Sequence, residues 1–232
     1  MLRRTWFPIL MGVVGVAVLL ALGVWQLRRL EWKNAILAQI DARIGAAPVD
    51  LPADPEIGPG CASPQPARDC YLPVTVTGAL GGEEARVLIS LPAEGPGFRV
   101  VSAMTTGDRR VLVDLGFVPD EAADAPRMAE AVTVMGNLHW PDETDGWTPE
   151  PDREKNVWFA RDVPLMAEAL GTEPLLVVAS RVEPDLGTIP MPVDSSAIPN
   201  DHWQYAVTWF SLAAIWAVMS GILVARHARR VA

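Results

Sequence analysis

The sequence holds few of the residues on which catalytic and metal centres are built. Among its 232 residues there are two cysteines and three histidines, and there is no G-x-S-x-G, H-E-x-x-H or C-x-x-C motif. These motifs supply the nucleophiles, zinc ligands and redox thiols of common enzyme classes. Three histidines spread along the chain also argue against a multi-histidine metal centre. We therefore expect a protein that is not an enzyme.

Positive charge is scarce as well. The chain has 19 Lys and Arg against 28 Asp and Glu, a formal net charge of −9. Residues 1–6 and 226–232 hold five of the Lys and Arg and no acidic residue, so the stretch between them has a net charge of −14. Such a stretch is repelled by phosphate backbones and by anionic lipid headgroups. Nucleic acid is therefore excluded as a partner.

Charge is absent altogether from two long apolar runs. Residues 7–27 and residues 205–225 each comprise 21 residues without a charged side chain. A helix of that length spans roughly 32 Å, about the thickness of the hydrocarbon core of a bilayer. The alternative for the first run is a cleaved signal peptide, but the run is longer than a usual h-region and no small-x-small cleavage site follows it. We predict two transmembrane helices, the second with its rim covering residues 200–225.

The distribution of basic residues predicts the orientation. Residues 1–6 and 226–232 are expected to be cytoplasmic tails, and the acidic stretch between the helices is expected to be exported. Arg28, Arg29 and Lys33 lie just past the first helix and oppose this assignment locally. No Arg- and Ser-rich presequence precedes the first helix, so we expect the inner membrane of a bacterium, with the main domain in the periplasm.

A helical extension and an irregular connector follow the first apolar run. Apolar residues at helical spacing continue through residues 28–45, and residues 46–70 are dense in Pro and Gly. The only cysteines, Cys61 and Cys70, lie in that connector. In an exported compartment such a pair most simply forms a disulfide, and a copper or redox thiol pair is the alternative.

Short strands dominate residues 71–199. Alternating apolar and polar residues separated by Gly-rich turns predict six or seven mostly antiparallel strands, which favours a small barrel or sandwich. One short helix interrupts them, with Asp162 as its N-cap, Pro164 in its first turn and Gly171 at its end. The predicted strands are YLPVTVTGAL, ARVLIS, GFRVVSAMTT, RRVLVDLGFVP, AVTVMGNLHW, VWF and PLLVVASRVEP. The fold class is therefore a membrane protein with two transmembrane helices flanking an exported, mainly antiparallel β domain that carries one short helix.

Aromatic and basic side chains collect where the two predicted helices reach the exported side. His202, Tyr205 and Trp209 share one face of the second helix by their spacing. Aromatic residues at such a rim ordinarily form an interfacial belt, while Arg and Lys reach toward headgroups. A histidine is a poor belt residue, and a neutral imidazole can bind haem iron between flanking aromatic rings. The candidate cofactor contacts are His202, Tyr205, Trp209, Trp25, Arg29 and Lys33.

Two motifs at this rim resemble those of a known family. L-G-x-W-Q-x-x-R-x-x-W-K at residues 22–33 and N-x-H-x-x-Y-x-x-T-W-F-x-L-A at residues 200–213 are similar to the Surfeit locus protein 1 family. PGFRVV, RRVLVDLGFVP, NVWFARDVPLMA and PLLVV follow in that family's order. The resemblance covers residues 6 to 225 and leaves out the connector with the two cysteines.

The resemblance implies an inner-membrane assembly factor for haem-copper cytochrome c oxidase. Such a protein would bind haem a transiently and aid its insertion into the oxidase's catalytic subunit, with haem a synthase and membrane lipids as further partners. Haem binding in bacterial members is associated with the histidine of the N-x-H motif, which is His202 here, as iron ligand. Trp209 is a second candidate, and the pairing of Arg29 and Lys33 with haem propionates is inferred from their position alone. The alternatives are a cofactor-free scaffold that clamps an assembly intermediate and, less favoured, an enzyme acting on a membrane substrate.

Overall fold

A computed structural model describes residues 6–58, 60–61, 63, 66–196 and 198–231. The chain divides into two units, one of Met1–Gln39 with Ser195–Ala232 and the other of Ile40–Asp194. The first unit contains most of helix α1 (Trp6–Ile44) and all of helix α3 (His202–Val231). The first five residues of the predicted N-terminal tail lie outside the described residues, whereas α3 continues through the predicted C-terminal tail.

Each of these two helices has an apolar stretch that could cross a membrane by length and composition. The mean hydropathy of the most apolar 18-residue stretch is 2.6 in α1 and 1.9 in α3. Helix α1 covers both the first apolar run and the helical extension predicted after it, without a break. The two apolar terminal helices of the fold prediction are therefore present.

Small residues form the seam along which α1 and α3 pack. Gly12 and Gly23 are buried on α1, and Ala206 and Ala213 are buried on α3. Gly12 lies against Ser220 and Gly23 against the ring of Phe210, so the helices run antiparallel. Residues without bulky side chains let two helix backbones approach closely, which is how apolar helices associate where burial of apolar surface gives little driving force.

The second unit is a β barrel. Its strands are β1 (Val49–Asp50), β2 (Pro73–Leu91), β3 (Gly95–Thr106), β4 (Arg109–Pro119), β5 (Met128–Leu138), β6 (Val157–Trp158) and β7 (Leu176–Glu183). The order β2-β3-β4-β7-β5 closes on itself because β5 also pairs with β2. Val74, Val111 and Leu176 are among the fully buried side chains of the core. Closure leaves none of these five strands with a free edge.

The sheet is mainly antiparallel, as predicted, but it also contains parallel pairings that the sequence did not predict. Four pairings of the closed ring are antiparallel, but β4 and β7 run parallel, as do the short pairings of β1 and β6 with β2. A parallel pair needs a long crossover rather than a tight turn. The chain between β4 and β7 supplies it, since this stretch includes β5, β6 and helix α2 (Val163–Leu170).

The first two predicted strands are one strand in the structure. The sequence Gly-Gly-Glu-Glu suggests a turn after Leu80, yet β2 runs from Pro73 to Leu91. Its first half pairs with β5 and its second half with β3, with an irregularity between Leu80 and Glu84. Gly82, at a φ of +93°, occupies this irregularity. The glycines therefore bend a continuous strand from one partner to the next rather than ending it.

Helix α2 confirms the predicted short helix and its caps. The Asp162 side chain accepts a hydrogen bond from the Leu165 backbone N–H, Pro164 lies in the first turn, and Gly171 ends the helix in the left-handed conformation at a φ of +62°. These are the usual residue choices at the two ends of a helix.

A network of charges centred on the buried Asp114 lies beside the barrel wall. The Asp114 carboxylate is fully buried and accepts hydrogen bonds from Arg99 at 2.6 Å and Arg161 at 3.0 Å. Arg161 also pairs with Glu143 through its guanidinium. Burial alone would raise the pKa of Glu143, but the hydrogen bonds and charge of Arg161 outweigh it and hold this pKa below its usual value. The network therefore ties the loop after β5 to strands β3 and β4.

The structure joins Cys61 and Cys70 in a disulfide, with Cα atoms 5.6 Å apart. The pair is buried beside the barrel core, and the Cys61 backbone N–H donates to the Trp140 carbonyl at 2.8 Å. Part of the connector that the sequence marks as irregular is thus held against the barrel.

Candidate functional site

The rim of the helix pair brings together one histidine and one buried amide. His202 is the first residue of α3 and is half-buried. Its Nδ1 lies 2.8 Å from Oε1 of Gln26 on α1, and Gln26 is only 8% exposed. Their hydrogen bond links α1 and α3 at the end of the seam opposite Gly12.

The seam explains why the two side chains meet. Gln26 follows Gly23 by three residues and therefore lies on the same face of α1. Ala206 follows His202 by four residues on α3 and is fully buried. Because glycine and alanine keep the helix backbones close at this end, the imidazole and the amide reach hydrogen-bonding distance.

The hydrogen bond has a consequence for the chemistry of the imidazole. When the Gln26 carbonyl oxygen accepts, Nδ1 carries the proton and Nε2 holds a free lone pair. Nε2 makes no hydrogen bond with any residue that the structure describes. A histidine whose second ring nitrogen donates to a fixed acceptor is the arrangement that orients and strengthens a metal-binding imidazole. His202 therefore fits the role of an axial iron ligand.

A second polar pair lies close by. The Asn200 side chain donates to Oδ1 of Asn34 at 2.8 Å, and Asn200 Oδ1 is buried without a hydrogen-bond partner among the described residues. Asn200 and His202 are the first and last residues of the N-x-H motif, and each of them contacts a different amide side chain of α1.

The other predicted contacts lie at the same rim but are not joined to the histidine. Tyr205 and Trp25 are exposed and Trp209 is half-buried. Arg29 stacks on Trp32, with Cζ 4.5 Å from the ring centroid. No hydrogen bond or ion pair within the described part of the chain links His202 to Tyr205, Trp209, Trp25, Arg29 or Lys33.

Arg29 and Lys33 are also without an acidic partner in the part of the chain that the structure describes. Both side chains emerge from α1 beyond Gln26, one and two turns further along the helix. Their charges are therefore available to an anionic group.

Gln26 and Asn34 are the site residues that the prediction from sequence left out. Gln26 is an uncharged polar residue at the end of an apolar run, and this is the signal that marks it. Its neighbour Trp25 drew attention as an aromatic belt residue, yet Trp25 faces outward and Gln26 faces the seam. No cluster of three or more His, Cys, Asp or Glu able to hold a metal ion occurs among the described residues.

Comparison with known proteins places the chain in a family. The sequence profile of the SURF1 family matches residues 13–214. The chain is 30% identical over 213 residues to Surfeit locus protein 1 of Homo sapiens, which covers 83% of this chain and 69% of the human protein. It is 28% identical over 233 residues to Surfeit locus protein 1 of Takifugu rubripes, covering 92% and 94% of the two chains. A SURF1-like protein of Monosiga brevicollis is 26% identical over 221 residues, covering 87% and 82%. Since the matched region includes the strands of the barrel and both motifs of the rim, this chain belongs to the SURF1 family.

Proposed function

We propose that the protein is a membrane-bound assembly factor for cytochrome c oxidase that binds haem a through His202 and passes it to the oxidase's catalytic subunit. Membership of the SURF1 family supports the role in oxidase assembly. The observation that supports the haem step is the His202–Gln26 hydrogen bond, which leaves Nε2 of a neutral imidazole free to bind iron.

The two apolar helices support attachment to a membrane. Their length and hydropathy suit a bilayer span. Arg226 and Arg229 lie at the end of α3 opposite the rim, and Arg3 and Arg4 precede α1 in the sequence. Under the positive-inside rule the rim with His202 and the barrel lie on the periplasmic side of an inner membrane. Membrane lipids surround the helix pair, and a haem a synthase is the source from which the protein would receive its cargo.

The residues at the rim divide the task of holding such a ligand. A porphyrin brings four nitrogen ligands with its iron, so a single histidine completes one axial position. His202 supplies that nitrogen, and Gln26 holds its tautomer and ring orientation. Arg29 and Lys33 pair with carboxylates, since neither has an acidic partner within the described residues. Tyr205, Trp209 and Trp25 offer aromatic surface to a flat apolar group.

The test is the haem content of the purified protein. The full chain is purified from cells that make haem a, and its visible spectrum and haem-to-protein ratio are recorded for wild type and His202→Ala. His227→Ala, a histidine at the far end of α3, is the matched control. The proposal expects haem in wild type and the control and a loss of roughly tenfold or more in His202→Ala.

Equal haem in wild type and His202→Ala contradicts the ligand role. In that case the alternative is the cofactor-free scaffold, which is tested by examining the oxidase in cells that lack the protein. There, an oxidase that keeps its full haem content but loses subunit association indicates a scaffold, whereas an oxidase depleted of haem supports delivery.

A further inference from the structure

A loop of the barrel unit displays an isolated indole. Trp147 is 92% exposed, more than any other large apolar side chain among the described residues. It lies in the segment 142–152, here called the acidic loop, which has five Asp or Glu and no Lys or Arg. Exposing a tryptophan sacrifices the burial of its large apolar surface. Tryptophan is also enriched among the residues that dominate protein–protein binding energy.

The exposure of Trp147 is held by a tight hydrogen-bonded turn. Oδ1 of Asp145 accepts from the Trp147 backbone N–H at 2.8 Å and from the Thr148 hydroxyl at 3.0 Å. The Asp145 backbone N–H donates in turn to the Thr148 hydroxyl oxygen at 2.9 Å. The turn fixes the backbone on both sides of the indole, so little ordering is needed when a partner binds.

The start of the acidic loop is anchored to the barrel. Glu143 accepts the Arg161 backbone N–H at 3.0 Å and pairs with the Arg161 guanidinium, which also holds the buried Asp114. The start of the acidic loop is therefore fixed to the barrel unit by hydrogen bonds and ion pairs.

A cavity of about 220 Å³ opens beside this turn. Its lining includes the apolar residues Trp158, Phe159 and Leu165 and the acidic residues Asp145 and Glu150. Neither carboxylate pairs with a Lys or Arg among the described residues. The hydrogen bond from the Trp147 backbone N–H, followed by that from the Thr148 hydroxyl, lowers the pKa of Asp145, so this carboxylate stays charged at neutral pH.

The charge around the cavity selects its occupant. The apolar residues that line the cavity, together with the exposed Trp147 beside it, attract an aliphatic or aromatic stem, and the carboxylates of Asp145 and Glu150, which have no Lys or Arg partner among the described residues, attract a cationic head. Lys and Arg side chains combine the two, because an apolar stem carries the charge, and their cations also bind indole faces. We propose that Trp147 and the adjoining cavity are a docking site for a partner protein that presents an exposed basic segment, with a Lys or Arg side chain seated in the cavity. This site is independent of haem binding.

The proposal is tested with the full chain in nanodiscs and two fluorescent 15-residue peptides. One peptide has Lys or Arg at every third position among Leu and Ser, and the other has Glu at the same positions. The basic peptide is expected to bind and the acidic one to fail. Trp147→Ala should weaken binding by roughly tenfold or more, and Glu150→Gln by roughly two- to fivefold.

Two matched variants control for general attraction to an acidic protein. Glu154→Gln removes a charge just outside the acidic loop, and Leu88→Ala removes an exposed apolar side chain elsewhere on the barrel. Both should bind the basic peptide like wild type, as should His202→Ala. The proposal is overturned if the basic peptide binds no better than the acidic one, or if Glu154→Gln weakens binding as much as Glu150→Gln.

A spin label separates the other possible occupants. Gly146→Cys is suitable because a side chain there meets no atom within 4 Å. The label should be accessible to a water-soluble nickel relaxant in the nanodisc and become protected on addition of the basic peptide. A label that is already protected without peptide overturns the proposal. Greater accessibility to oxygen than to nickel then indicates that the bilayer covers the site. Protection that increases with protein concentration indicates a second copy of the chain.

Discussion

At the scale of single residues, the contact between His202 and Gln26 shows how one amide can determine what a histidine does. An imidazole at the end of an apolar helix has two nitrogens that compete for the proton. Gln26 Oε1 at 2.8 Å from Nδ1 resolves the competition by accepting from that nitrogen. In the neutral form of this imidazole, Nε2 keeps its lone pair for a metal ion.

Replacing Gln26 tests this arrangement. In Gln26→Leu the acceptor is lost, so we expect the haem-to-protein ratio of the purified protein to fall roughly tenfold or more, as when other hydrogen-bond acceptors of metal-binding histidines are removed. Gln26→Glu keeps an acceptor oxygen and should restore most of the haem. Gln204→Leu, at an exposed position on α3, should behave like wild type. If Gln26→Leu keeps its haem while His202→Ala loses it, the amide has no part in orienting the ring.

His139 makes the barrel unit sensitive to pH. Its Nδ1 is buried without a hydrogen bond to a described residue, and its ring lies 5.5 Å from that of Tyr71. Burial is the largest cause that lowers the pKa of His139, from 6.5 to about 4, and the charge of Arg161 is the second. The charge of Glu143 raises this pKa, and that of Arg99 lowers it slightly further. The unfolded chain therefore binds a proton between pH 6.5 and pH 4 that the folded chain does not.

The sign of the effect follows from this difference. His139 contributes stability that is present above pH 6.5 and is lost as the pH falls toward 4. Between pH 7 and pH 5 the free energy of unfolding should fall by about 2 kcal/mol more in the wild type than in His139→Phe, whose side chain cannot titrate. Urea unfolding followed by tryptophan fluorescence measures this. His227→Gln, outside the barrel unit, should retain the wild-type pH dependence, and an equal pH dependence in His139→Phe would contradict the assignment.

At the scale of elements, the small residues of the seam set the separation of α1 and α3. A Cβ added at Gly23 would lie 2.7 Å from Cε1 of Phe210, so Gly23→Leu should push the helices apart or displace that ring. Gly221→Leu is the matched control, because a side chain at Gly221 meets nothing within 4 Å. The distance between spin labels at the exposed positions Val24 and Val207 should become longer and more broadly distributed in Gly23→Leu, and should stay unchanged in Gly221→Leu. An unchanged distance would show that Phe210 accommodates the added side chain.

How far the sequence predicts these elements depends on whether the signal is local. The caps of α2 are local, and Asp162 and Gly171 mark them correctly. The continuity of β2 is not a local property. Gly81 and Gly82 predict a turn from the sequence alone, and only the pairing with the partner strands shows that the strand continues through them. Trp25 and Gln26 show the same limit at the site, because only the packing of α3 decides which of two neighbours faces the seam.

At the scale of the whole molecule, charge and redox state are linked. The stretch between the helices is strongly acidic and contains both cysteines, while basic residues lie at the end of α3. A bilayer retains basic flanks on the cytoplasmic side, and an exported compartment keeps disulfides oxidised. In the proposed topology, orientation and disulfide state are therefore expected to change together.

This link gives a joint prediction. If the barrel is exported as proposed, alkaline phosphatase inserted in the β3–β4 turn at Asp108 should be active, and the same enzyme fused after α3 should be inactive. In protein denatured under acid quench from the same cells, Cys61 and Cys70 should resist a maleimide until a reductant is added and then take up two labels. The opposite orientation, favoured locally by Arg28, Arg29 and Lys33, would reverse both fusion activities and leave both thiols reactive without reductant. An active fusion at Asp108 together with free thiols would instead separate the two properties, and show that export alone does not form the disulfide.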